Sequence, residues 1–181
     1  RIYRQDLDAA ILFNSERNFF QALVVAMVKQ ADRDESSEIF DDSTKDYANQ
    51  LIEFENPFEF EGVFKHILCN LNFDQLRAIF REYQTRSKKS FLTRIETSFE
   101  GDEKNGMVQI FRCLNNKAEF FANQLKRARV MKNKDDTLIR LIVTRCEVDM
   151  VEIKNAFKRI SGNTLRDYID SNCSGDFKTG L

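Results

Sequence analysis

The chain contains no tryptophan, one proline, one histidine and only six glycines in 181 residues. So few helix breakers favour a helical protein, and no alternating strand pattern competes. A single histidine, His66, excludes a multi-histidine metal centre, and its place inside the apolar run 63–69 reads as structural. Cysteine is sparse as well. Cys69, Cys113, Cys146 and Cys173 are far apart, form no CxxC pair and each lie in or beside an apolar run, so buried free thiols in a reducing compartment are expected. No stretch approaches the ~20 apolar residues needed to span a bilayer, and no signal-peptide pattern opens the chain. Nor does one sign of charge prevail. With 28 basic and 29 acidic residues the net charge is −1, which exerts no overall pull on nucleic acid or membrane, so any such partner must meet a local patch. The chain begins at Arg1 without Met and stops at Leu181 in a helical pattern, so both ends are expected to be cut.

What is present is enough apolar material for a core: 42% hydrophobic residues, with seventeen phenylalanines. It is organised as a repeat. Gly101-Asp102 recurs as Gly175-Asp176, an offset of 74 (175 minus 101). At that offset Ala48-Asn49-Gln50-Leu51 meets Ala122-Asn123-Gln124-Leu125, Ile79 meets Ile153, Tyr83 meets Phe157, Ser87 meets Ser161 and Ile95 meets Ile169. A register held without a gap through all these pairs marks structural repetition.

Inside each unit the apolar spacing is helical. Phe73, Leu76, Ile79, Phe80 and Tyr83 share one face, as do Met150, Ile153, Phe157 and Ile160. Shorter stripes at Phe64, Ile67 and Leu68 match Leu138, Leu141 and Ile142. Ser174 is placed to cap a helix near Gly175, and Ser43 or Thr44 to cap one before Tyr47. About five short helices per unit are expected. Phe20, Leu23, Val24, Met27 and Val28 form the end of a preceding unit. The expected organisation is a repeat tail over 1–29, an acidic linker over 30–43, a complete repeat over 44–117 and a last, truncated repeat over 118–181.

These residues resemble the annexin family. The run from Thr137 to Met150 (TLIRLIVTRCEVDM) is similar to the second and third helices of a fourth annexin repeat, and the likeness continues through Phe157-Lys158-Arg159, Gly162-Asn163-Thr164-Leu165 and Ser174-Gly175-Asp176. Phe120 to Leu125 resembles the first helix of that repeat, and Gln75 to Tyr83 the third repeat. The resemblance implies an all-α fold of five-helix repeats in right-handed bundles. It also implies docking on acidic phospholipid through calcium.

Calcium takes six to eight oxygen ligands at about 2.3–2.6 Å. The family pattern supplies them from carbonyls of a glycine-rich loop between a repeat's first two helices. A carboxylate three positions before the Gly of the Ser-Gly-Asp turn completes the set. In the last repeat the loop, Met131 to Thr137, lacks both glycines and is short, and Asn172 stands where the acid is expected. In the repeat before it the loop, Glu55 to Gly62, lacks the Gly-x-Gly turn, and Ser98 replaces the acid. In the first fragment the matching position is Ser15. Asp135 and Asp136, or Glu59 and Glu61, remain as weak side-chain candidates for calcium, and the plainer reading is solvated loop acids. Calcium is therefore not required by what the chain retains.

Lys126, Arg127, Arg129, Lys132 and Lys134 crowd one helix end and the loop after it, with Met131 at the tip as a candidate apolar anchor. In the family's geometry that loop faces the membrane, so the cluster is a candidate contact for anionic headgroups, although cations at a helix C-terminus also simply suit the macrodipole. A second cluster, Arg86 to Lys89, reads as solvent surface. No phosphate loop, nucleophile elbow or paired buried carboxylates are present, so no enzyme is expected. The phenylalanines lie on helical stripes instead of alternating with basic residues, which argues against nucleic acid. The expected protein is cytoplasmic and peripherally membrane-associated. The rival reading is a helical-repeat scaffold that binds a protein partner and meets neither lipid nor calcium.

Overall fold

The computed structural model describes residues 19–29, 36, 38–54, 57–128 and 134–175, without the side chains at 28, 29, 57, 58 and 134. Among the described residues every regular element is a helix: α1 (Phe19–Lys29), α2 (Asp41–Glu53), α3 (Pro57–Asn70), α4 (Phe73–Ser87), α5 (Phe91–Ser98), α6 (Gly101–Asn115), α7 (Lys117–Ala128), α8 (Lys134–Arg145), α9 (Met150–Ser161) and α10 (Leu165–Asn172). None is long and apolar enough to cross a membrane.

The helix ends are written in local chemistry. The Asn72 side chain accepts from Gln75 N, and Ser90 accepts from Leu92 N, so each fills an orphan donor at the start of α4 and α5. Thr164 and Asp167 form a reciprocal capping box at α10. α4 and α9 both end in a left-handed residue, Lys88 (φ 59°) and Gly162 (φ 78°), which are partners in the 74-residue register. The same register pairs Gly101 (φ 55°) with Gly175 (φ 62°).

The chain divides into two compact units, before and after the Leu114–Asn115 bond. In the first, α2 packs on α3 and α4, α1 packs on α3, and α5 on α4. Its core is aromatic. Phe91, at the start of α5, has ring centroids around it at 4.7 Å (Phe80), 5.0 Å (Tyr83), 5.4 Å (Phe64), 5.7 Å (Phe111) and 6.1 Å (Phe60). α1 is held by Leu23, fully buried, and by a donation from Phe20 N to Glu103 Oε1 (3.0 Å). A Cβ at Gly106 would stand 2.4 Å from the Phe20 ring, so the glycine permits this close approach. In the second unit α7 carries α8 and α9, and α10 packs on α9. Ala122, Leu125, Leu138, Ile153, Phe157 and Leu165 are its buried centre.

Several sequence expectations need correction. Ser43 and Thr44 cap nothing: α2 begins at Asp41, inside the stretch whose acidity suggests a linker, after Phe40, which has no side-chain cap. Thr44 is buried and its hydroxyl donates to Phe40 O at 2.9 Å. Phe73 follows the helical spacing but sits on the first turn of α4, where it is 49% exposed. Cys69 is buried, yet Cys146 is exposed and Cys113 and Cys173 are only half-buried. His66 is exposed at the surface of α3, within 3.2 Å of the Tyr47 hydroxyl and of the Asn70 amide.

Candidate calcium positions and basic cluster

The two inter-helix loops that would cradle a cation are shorter than their composition suggests. α3 opens at Pro57, a residue suited to a first helical position because it has no N–H to satisfy, so Glu59 and Glu61 lie in the helix and not in a loop. Glu59 is exposed in the first turn. Glu61 is half-buried, and burial, reinforced by the nearby Glu103 carboxylate, holds its carboxyl above the ordinary carboxylate range. α8 opens at Lys134, which puts exposed Asp135 and Asp136 in its first turn, where they suit the positive end of the helix.

At the acid positions, Ser98 ends α5 half-buried, and Asn172 ends α10 with its Nδ2 donating to Tyr168 O (2.7 Å). Ser15 lies outside the described residues. Among the described residues no three histidine, cysteine or carboxylate side chains gather closely enough to hold a metal ion.

The sequence pattern has no place for two residues that matter here. Arg94, one turn before Ser98, donates from its guanidinium to Phe54 O (2.5 Å), the carbonyl that closes α2 at the loop. Its charge also lies 5.0 Å from the centroid of the Phe60 ring, and its Nε is buried without a partner. Tyr168, one turn before Asn172 and the register partner of Arg94, donates its hydroxyl to Leu125 O (3.2 Å) near the end of α7. In both units a donor from the fourth helix therefore reaches a carbonyl at the end of the first, where helix geometry leaves acceptors unpaired. The signal available in the sequence was the pairing itself: two long donor side chains at one repeat position.

The basic cluster is partly in view. Lys126 and Arg127 are exposed in the last turn of α7. Lys126 Nζ donates to Ile160 O (2.9 Å) at the C-terminal end of α9, so this cation already serves a helix end in its own unit. Arg129, Met131 and Lys132 lie outside the described residues, and Lys134 is described only as the first residue of α8.

A family model described as Annexin matches residues 48–110 and 120–181. Mouse annexin A4 is 32% identical over 92% of this chain and 53% of its own length. Human annexin A11 is 32% identical over 97% of this chain and 35% of its own length. The solved structure of annexin III superposes with a TM-score of 0.87 at 27% identity, covering 98% of this chain and 56% of that one. The chain thus spans about half the length, or less, of the curated relatives it matches. With both repeats matched and the helical architecture shared, the chain belongs to the annexin family.

Proposed function

We propose that this chain is part of a peripheral phospholipid-binding, non-catalytic, cytoplasmic annexin, built of a complete repeat over 44–117 and most of another over 118–181, whose calcium dependence is weakened or lost in these repeats. The observation that carries the reading is the donation from Arg94 to Phe54 O. A calcium ion held by the stretch that follows, Glu55 to Gly62, would meet a fixed positive charge at the edge of that stretch. At ~5 Å and an effective dielectric of about 20, the repulsion between a monovalent and a divalent cation is on the order of 7 kcal/mol. Ser98 offers no bidentate carboxylate to offset it, and Asn172 offers a neutral amide already bonded to its own helix. On this reading calcium is held weakly or not at all by these repeats.

Anionic headgroups can be met instead by cations. Lys126, Arg127, Arg129, Lys132 and Lys134 fall within a short stretch around a loop, with Met131 among them. Basic side chains near an anionic surface each contribute roughly 1 kcal/mol, screened within a Debye length. The test is co-sedimentation with phosphatidylserine vesicles, with calcium and with chelator, at low and high salt. Pelleting that falls with salt and ignores chelator is expected. Pelleting that requires calcium would overturn the reading and return Asp135 and Asp136, or Glu59 and Glu61, to the role of ligands.

A further inference from the structure

Where the segment before α2 meets the start of α4, the backbone is clamped by buried amides. Asn72 Nδ2 donates to Glu38 O (2.9 Å), Phe40 N donates to Gln75 Oε1 (2.7 Å), and Gln75 Nε2 donates to Thr44 Oγ1 (2.7 Å). Gln75, Asn72 and Thr44 are 2%, 4% and 7% exposed. Amides satisfied in a buried setting fix geometry, because any shift leaves a polar group without a partner. The clamp therefore holds residues 38–40 against the first turn of α4.

This rigid seam presents apolar side chains to solvent. Ile39, Phe40 and Phe73 are 49%, 56% and 49% exposed, and each stands on or beside a clamped residue. Scattered single apolar residues need no explanation, but three large ones on or beside one clamped segment are more than scatter. The charge around them is one-sided. Glu38, Asp41, Asp42 and Asp46 are exposed, and Asp74 is half-exposed. Opposing them are exposed Lys45 and half-buried Arg77, the latter already bound to Asp74 and to Leu114 O. Asp41 and Asp42 also suit the N-terminus of α2, but that accounts for neither Glu38 nor Asp46.

We propose that this seam is a docking site for a basic amphipathic helix of a protein partner. The partner's apolar face covers Ile39, Phe40 and Phe73, and its lysines or arginines meet Glu38, Asp41 and Asp42. An anionic membrane is disfavoured as the occupant because the same carboxylates repel it. The inference stands independently of lipid binding through the basic cluster.

The test uses the full chain and a fluorescent amphipathic leucine–lysine peptide, with a scrambled peptide of the same composition as control. Saturable, salt-sensitive binding of the amphipathic peptide alone is expected. Phe40→Ser/Phe73→Ser weakens it about tenfold or more. Glu38→Lys/Asp42→Lys weakens it about tenfold at low salt, with the loss shrinking as salt rises. Circular dichroism and melting point check the fold of both variants; if Asp42→Lys disturbs α2, the phenylalanine pair decides. Equal binding of the scrambled peptide, no binding by the parent chain, or full affinity in the phenylalanine variant would each overturn the proposal. So would a phenylalanine variant that keeps the peptide but no longer pellets with phosphatidylserine vesicles, which would make the seam a membrane contact.

Discussion

Lys88 and Gly162 show what a single position owes to the fold. Both end the third helix of their repeat, and both hold a left-handed backbone, at φ 59° and 78°. The turn after them is the same in each copy: Ser87 Oγ donates to Lys89 O (3.1 Å) and Ser161 Oγ to Asn163 O (2.9 Å), and each hydroxyl accepts the amide in return. The turn demands the conformation whichever residue fills it. A side chain with a Cβ pays roughly 1–2 kcal/mol there, partly offset because glycine loses more freedom on folding. Lys88 is exposed, and its backbone N–H donates to Gln84 O (3.1 Å), a bond that glycine would keep. Lys88→Gly is expected to stabilise the protein by roughly 0.5 kcal/mol, and Gly162→Ala to destabilise it by about 1 kcal/mol. Chemical denaturation midpoints check both, and an unmoved midpoint for Lys88→Gly would show that the lysine carries no strain.

Between elements, the repeats keep one register but solve their packing differently. Leu165 holds the place of Phe91, and the aromatic cluster of the first unit gives way to a mainly aliphatic one around Phe157. Gln75 is buried on neutral amide and hydroxyl partners, while its counterpart Asp149 is bound by Arg145 through two guanidinium contacts (2.8 and 2.5 Å). Because five rings are arranged around Phe91, its removal leaves a cavity that helices from different parts of the unit would have to close together. Phe91→Ala is expected to cost about 3–5 kcal/mol. Phe91→Leu, which installs the residue of the other repeat, still costs about 1–3 kcal/mol, because the rings lose their partner and the leucine fits a different cavity. Urea denaturation measures both, and a neutral Phe91→Leu would show that the cluster is plastic. The register and the helical faces were legible beforehand because burial imposes a period on sequence, as at Ile79 and Ile153. The starts of α2, α3 and α8 were not. Charge and glycine around Asp41, Glu59 to Gly62 and Asp135 read as loop, although acids in a first turn and a proline at its head are also what a helix start favours. The candidate site was read from Ser98 and Asn172, which stand where the family pattern expects an acid. Arg94 was not, since its role comes from reaching across 40 residues to Phe54 O.

At the scale of the whole chain, a net charge of −1 means that any membrane attraction of these residues cannot come from the average field. It must come from where cations are placed, and weak contacts joined in one chain multiply. Arg127 is the residue on which to test this. It is exposed in the last turn of α7, whereas Lys126 also serves the carbonyl of Ile160, so its loss would mix binding with stability. Arg127→Glu changes the local charge by two, which at roughly 1 kcal/mol each amounts to about 2 kcal/mol, or a factor of roughly thirty in vesicle partitioning at low salt. The factor is expected to shrink as salt shortens the Debye length. Lys154→Glu, at an exposed position on α9, makes the same change in total charge outside the cluster. If the cluster is the contact, vesicle titrations will separate the two variants at low salt and bring them together at high salt. If both weaken binding equally, placement is irrelevant and the basic cluster is no more than solvated surface at a helix end.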